Sequence, residues 1–140
     1  MPPTIDKAKT FWIEAGAMSG PPEHRHQIEF SNDLVQFFDK QSRDNEVLTI
    51  QLPDGTEVPR PLTYRGTDYG QWTNIWRLGL PTQNMGGPQY AGRYIRFDRI
   101  KTGTYRIDIQ NAGKEVEGWR KQSKFVGNTG GPNGREYGFF

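Results

Sequence analysis

Seventeen glycines and ten prolines are spread along 140 residues, and few stretches between them are long enough for a helix of several turns. The runs that remain are short and alternate in polarity, the pattern of strands with one buried face. Residues 9–17 put Phe11 and Ile13 on one side and Trp12 and Glu14 on the other, before the Ser19-Gly20-Pro21-Pro22 sequence interrupts them. The chain is therefore expected to be mainly β, with one or two short helices.

Further along, Leu48, Ile50 and Leu52 alternate with Thr49 and Gln51, and Pro53-Asp54-Gly55 supplies a turn back. The returning residues 56–64 contain Pro59 and Pro61, which lack the N–H that a ladder needs, so this segment is expected at a sheet edge or in partly extended structure. Residues 75–80 form another apolar strand. The clearest hairpin follows: Ile95 and Phe97 alternate with Tyr94, Arg96 and Asp98, Lys101-Thr102-Gly103 turns the chain, and Tyr105, Ile107 and Ile109 alternate on the way back. Ser31 is a suitable N-cap for a short helix over 32–40 with Leu34, Val35, Phe37 and Phe38 as its apolar face. A second helix over 113–125 would dock Val116 and Trp119 on the sheet and leave Arg120, Lys121 and Lys124 in solvent. Residues 1–126 thus read as one domain, and the Gly/Asn-rich stretch 127–140 as a tail or linker.

Hydrophobic content is low at 33%, but four Trp, six Tyr and eight Phe supply enough large rings for an aromatic core. The absence of cysteine removes disulfides, thiolate nucleophiles and cysteine-ligated zinc together. The opening residues MPPTIDKAKTFW lack a basic-then-apolar leader, and no run approaches the roughly 20 apolar residues of a membrane helix. A soluble, cytoplasmic protein with no membrane partner is expected. The net charge of +2 hides an asymmetry: residues 1–92 carry 8 basic and 11 acidic side chains, and residues 93–140 carry 10 and 5. An excess of Lys and Arg in the last third suits a polyanionic partner, while solvated basic residues on a strand face are the commoner source of such an excess.

Catalytic patterns are lacking. His24 and His26 form an H-x-H pair, but they are the two histidines of the chain and no cysteine can complete a zinc site, so neither metal nor cofactor is expected. Asp54 belongs to a turn and no Glu-x-Lys follows it, which argues against a metal-dependent nuclease site. The serines lack a nucleophile elbow, and no glycine-rich stretch ends in Gly-Lys-Ser/Thr. Side chains suited to recognition are instead concentrated in YRGTDYGQWTNIWRLGLP, residues 64–81, where Arg65, Tyr69, Gln71, Trp72, Thr73, Asn74 and Arg77 fall together. Glu23, His24, Arg25 and His26 form a second polar group. Arg reads guanine, Asn and Gln read adenine, and Glu accepts from cytosine when a scaffold holds them in a major groove. The same residues also fit an ordinary long hairpin loop, or a carbohydrate- or protein-binding β-module with Tyr69, Trp72 and Tyr90 as an aromatic platform.

The order of elements is strand, His-containing polar stretch, Phe-rich short helix, two strands, second polar stretch, Trp-containing strand. With HRHQIEFSNDLVQFF (His24 to Phe38) and NIWRLGLP (Asn74 to Pro81), it resembles the N-terminal effector DNA-binding domains of EcoRII-type restriction endonucleases. Those domains share a DNA-binding pseudobarrel with the plant B-three transcription factors, and the likeness spans roughly residues 9 to 112.

The resemblance implies a seven-stranded open pseudobarrel that grips the major groove of double-stranded DNA between two arms. Carried over by position, Glu23 to Gln27 is the first arm and Arg65 to Arg77 the second. The family pattern calls for a more basic second arm than Asp68 to Asn74 provides, which moves the expected phosphate contacts to Arg65, Arg77, Arg93, Arg96 and Lys101. It further implies a domain that is not itself an enzyme, acting as the effector or targeting part of a type II restriction endonuclease and covalently linked to a nuclease domain.

Overall fold

A computed structural model describes residues 4–16, 26–31, 33–39, 45–64, 75–129 and 134–140. The alternation in the first strand, β1 (Thr10–Glu14), divides the interior in two. Phe11 and Ile13 enter the main core, whereas Trp12 on the opposite face packs with Val116 and Trp119 in a small second cluster.

Eight further strands follow: β2 (Gln27–Ser31), β3 (Glu46–Gln51), β4 (Glu57–Tyr64), β5 (Ile75–Gly79), β6 (Tyr94–Lys101), β7 (Thr104–Gln110), β8 (Phe125–Asn128) and β9 (Glu136–Phe139), with helix α1 (Lys114–Gln122) between β7 and β8. They form one sheet in the order β2-β5-β4-β3-β7-β6-β1-β9-β8, antiparallel throughout except for the β3–β7 pair. In a flat sheet six strand spacings of about 4.8 Å would separate β1 from β2. Yet the rings of Phe11 in β1 and Phe30 in β2 lie 5.7 Å apart, so the sheet curls onto its own core and remains open between its two edges. The residues that strand alternation marks as inward fill this interior: Leu48, Ile50, Ile95, Phe97, Tyr105 and Ile107 are buried.

The chain is mainly β as expected, but with nine strands rather than seven. β8 and β9 lie in and beside the Gly/Asn-rich stretch that composition marks as a tail: Gly127 and Asn128 belong to β8, and β9 is inserted between β1 and β8. Gly138 shows why composition misleads here. It stands opposite Trp12, and a β-carbon at 138 would lie 2.6 Å from the indole. That glycine makes room for a ring inside the sheet, while Tyr137 and Phe139 on either side of it pack against the main core.

Two other expectations shift. β4 lies inside the sheet between β3 and β5 rather than at an edge. Its pairing with β5 covers only Leu62–Tyr64, however, so Pro59 and Pro61 face β3 alone and remove no hydrogen bond from a second ladder. After β2 the chain forms a 3₁₀ helix, Leu34–Phe38, shorter than the helix expected over 32–40. The Ser31 hydroxyl accepts from the Leu34 N–H at 3.3 Å, and Asp39 ends the turn in a left-handed conformation at φ 60°. Leu34, Val35, Phe37 and Phe38 are all buried, and Phe38 meets Phe30, Phe97 and Tyr105, so this turn closes one end of the curled sheet.

Helix α1 covers the other face of β1. The Trp12 indole N–H donates to the Ser123 hydroxyl at 2.7 Å, and that hydroxyl donates to the Trp119 carbonyl at 2.7 Å. Arg120 does not simply face solvent: its guanidinium meets the Glu136 carboxylate of β9 at 2.6 and 3.2 Å and also pairs with Glu117. No helix among the described residues is long and apolar enough to cross a membrane.

Candidate nucleic-acid interface

β2 and β5 pair antiparallel over their whole length, from Gln27 opposite Gly79 to Ser31 opposite Ile75. The Leu80 N–H extends the ladder to the His26 carbonyl at 2.6 Å. Segment 17–25 therefore joins the ribbon at its Gln27 end and segment 65–74 joins it at its Ile75 end. Four residue steps at about 3.4 Å each separate these roots by about 14 Å, comparable to the ~12 Å width of a major groove. Glu23, His24 and Arg25 of the first polar group, and Arg65, Tyr69, Gln71, Trp72, Thr73 and Asn74 of the second, lie outside the described residues.

Between the two roots, Phe30, Ile28, Trp76 and Leu78 point inward, and the alternate side chains face out. Glu29, Arg77 and Thr63 form one outward row across β2, β5 and β4. Arg77 approaches the Glu29 carboxylate at 3.8 Å, and the Thr63 hydroxyl donates to the Arg77 carbonyl at 3.4 Å. Both ionic side chains are partly exposed, so the pair contributes at most about 1 kcal/mol to stability. It does hold the guanidinium on a rigid strand in the middle of the ribbon. On the inner side, the rings of Tyr64 and Trp76 meet at 5.0 Å, tilted by 59°, and anchor the second root to the core.

The remaining expected contacts separate. The Arg93 carbonyl accepts from the Ala15 N–H at 2.8 Å, and the Gly92 N–H donates to the Gly16 carbonyl at 2.8 Å, so Arg93 lies beside the end of β1 from which the chain leaves towards segment 17–25. Lys101 is exposed at the turn into β7, the strand whose start lies beside β3. That is the end of the sheet to which Tyr64 belongs. Arg96 is on the face covered by α1: it contacts Asp98 at 3.0 Å and lies over the rings of Trp119 and Phe140 at 5.7 and 5.3 Å. The structure thus brings His26 to one end of the ribbon and Arg77 to its middle, with Arg93 beside the end of β1 and Lys101 at the end of the sheet that holds Tyr64, and it sets Arg96 apart.

Two arginines passed over in the sequence stand close to the same ribbon. Arg135, just before β9, donates to the Glu29 carbonyl at 2.6 Å and so bridges the open seam of the sheet. Beside it is a cleft of about 420 Å³ that Glu29, Ser31, Asn128, Thr129 and Tyr137 help to line. Burial lowers the Arg135 pKa, and the Glu29 and Glu14 carboxylates oppose that shift. Only its position two residues before Tyr137, in step with the alternation through Phe139, marks Arg135 in the sequence. Arg60 of β4 lies against Gly79, and burial lowers its pKa too.

Tyr90, expected as part of an aromatic platform, is 2% exposed, and its hydroxyl donates to the Pro81 carbonyl at 2.7 Å. Burial pushes its pKa well above the usual tyrosine range. Asp54 caps the β3–β4 turn, accepting from the Thr56 N–H at 2.9 Å. Among the described residues no three His, Cys, Asp or Glu side chains converge as a metal site would require. Neither protein-family models nor curated proteins give a match to the chain.

Proposed function

We propose that this protein binds double-stranded DNA sequence-specifically, with the polar stretches Glu23 to Gln27 and Arg65 to Arg77 as two arms in the major groove. The observation that carries this reading is the antiparallel β2–β5 pairing, which roots two polar segments at opposite ends of one short, rigid ribbon. Loops presented by a regular scaffold are where recognition is built. Base reading falls to Glu23, His24, Arg25, Gln71, Asn74 and Arg77, and phosphate gripping to Arg65, Arg93 and Lys101. Arg96 is left out of this set because Asp98, Trp119 and Phe140 already engage it.

The resemblance to EcoRII-type effector domains adds the biological role: a non-catalytic effector or targeting domain of a restriction endonuclease, acting beside a linked nuclease domain in the cytoplasm. Selection from a library of randomised duplexes tests the reading. Enrichment of one short motif supports it, and recovery of an unenriched library contradicts it.

A further inference from the structure

Arg60 occupies a core-facing position of β4, between the buried Val58 and Leu62. β4 and β5 pair only over Leu62–Tyr64, and beyond that point the Arg60 guanidinium lies against Gly79 of β5. A β-carbon at Gly79 would sit 2.6 Å from Nη2 and 3.1 Å from Cζ, so a larger side chain there would displace the guanidinium. Gly79 faces Gln27 across the ribbon, and the next residue bonds to His26. The Arg60 charge is therefore held one strand away from the root of segment 17–25.

Its partners among the described residues are weak. Of those residues none offers the buried Nε a hydrogen-bond acceptor, and Nη1 reaches the Met85 thioether at 3.8 Å, a poor acceptor. The titratable group beside it is the Tyr90 hydroxyl, which is neutral and already donates to Pro81. Arg96, Arg99 and Arg120 each face a carboxylate, whereas no carboxylate among the described residues pairs with Arg60. A partly desolvated guanidinium is unfavourable unless an anion balances it, and arginine is well matched to the oxygens of a phosphate.

We infer that Arg60, seated on Gly79, is a phosphodiester contact that anchors the DNA backbone at the first-arm end of the ribbon. This rests on the double-stranded DNA reading and extends it to a residue outside both polar segments. A contact fixed on a strand adds affinity and register without reading sequence.

The test measures binding of the 140-residue protein and its Arg60→Met variant to a selected duplex and a scrambled one over a range of salt. Methionine keeps an unbranched stem in the gap and removes the charge. Loss of one phosphate contact lowers the slope of log K against log salt by about 0.9 for both duplexes, with their affinity ratio unchanged. A wild-type slope retained in a folded variant overturns the Arg60 contact and leaves the DNA reading intact. A wild-type protein that binds neither duplex overturns both.

Single methylphosphonate linkages placed in turn along the selected duplex provide a second readout. One neutral linkage is expected to weaken the wild type and leave Arg60→Met unaffected; linkages that matter equally to both proteins overturn the contact. If Arg60→Met does not fold, Arg60→Lys takes its place, with a smaller penalty expected at that same linkage. Equal penalties at every linkage are then the contrary result.

Discussion

Glu29 of β2 and Arg77 of β5 stand opposite one another across the ribbon, carboxylate to guanidinium at 3.8 Å. Of the second-arm side chains expected to contact DNA, Arg77 is the one that a described strand holds, and it stands midway between the two roots. Glu29 neutralises it there in the free protein. A bound duplex would place base acceptors or phosphates before the same guanidinium and compete with the carboxylate.

Removing Arg77 should therefore act on recognition more than on folding. Arg77→Ala is expected to reduce affinity for the preferred duplex by about 10- to 100-fold, the equivalent of about 1–3 kcal/mol for one base-reading pair, and to narrow its margin over a scrambled duplex. Glu29→Gln is expected to tighten binding to both duplexes. Anisotropy titrations check the two variants together; binding unaffected by either would make the pair purely structural.

Arg96 gives the opposite expectation. Its charge is engaged by Asp98 and its face by Trp119 and Phe140. Arg96→Met should lower the unfolding temperature and leave the salt dependence of DNA binding unchanged in the folded protein. A salt slope shallower by about 0.9 would return Arg96 to the interface.

Gly138→Ala should destabilise the fold. The added methyl would meet the Trp12 indole inside a paired region of β1 and β9, and overpacking of this kind costs about 1–3 kcal/mol. Urea unfolding of the variant measures it. Stability equal to that of the wild type would mean that β9 does not pack against Trp12 in this register.

These contacts also mark which parts of the fold the sequence exposes. β1, β3 and the β6–β7 hairpin are legible because each buries one face, so polarity alternates with period two. β9 is obscured because Gly138 answers to Trp12, a residue far away in the chain, and a glycine chosen for close approach looks like a linker glycine. The prolines of β4 follow the rule for ladder hydrogen bonds, but the rule applies along half of a strand, which strand order alone does not reveal. The two polar groups at 23–26 and 65–77 can be picked out by residue type. That they attach to opposite ends of one ribbon depends on β2 pairing with β5, a contact between strands well separated in the chain that no local pattern encodes. Arg60 is hidden for the same reason: its position depends on where β4 and β5 part.

Alkaline pH should unfold the protein through its buried tyrosines. Burial first, and the Asp39 carboxylate next, push the Tyr105 pKa from 10.0 up to about 12. Above the unfolded-state value, the unfolded chain has lost this proton and the folded chain has kept it, so stability falls as pH rises. Stability is expected to be flat with respect to Tyr105 below about pH 10 and to decline from there to the folded value. Tyr105→Phe should flatten part of that decline, leaving the part due to Tyr90, which burial also raises. Urea midpoints across this range check it; identical slopes for the two proteins would contradict it.

Whether two polar segments on one ribbon read duplex DNA is decided by competition titration of the 140-residue protein against a selected duplex, a scrambled duplex of equal length and the matching single strand. The selected duplex is expected to bind about 10³-fold or more tighter than the scrambled one, the single strand to bind more weakly than the selected duplex, and binding to weaken steeply with added salt. Equal affinity for all three, or binding indifferent to salt, would contradict such recognition.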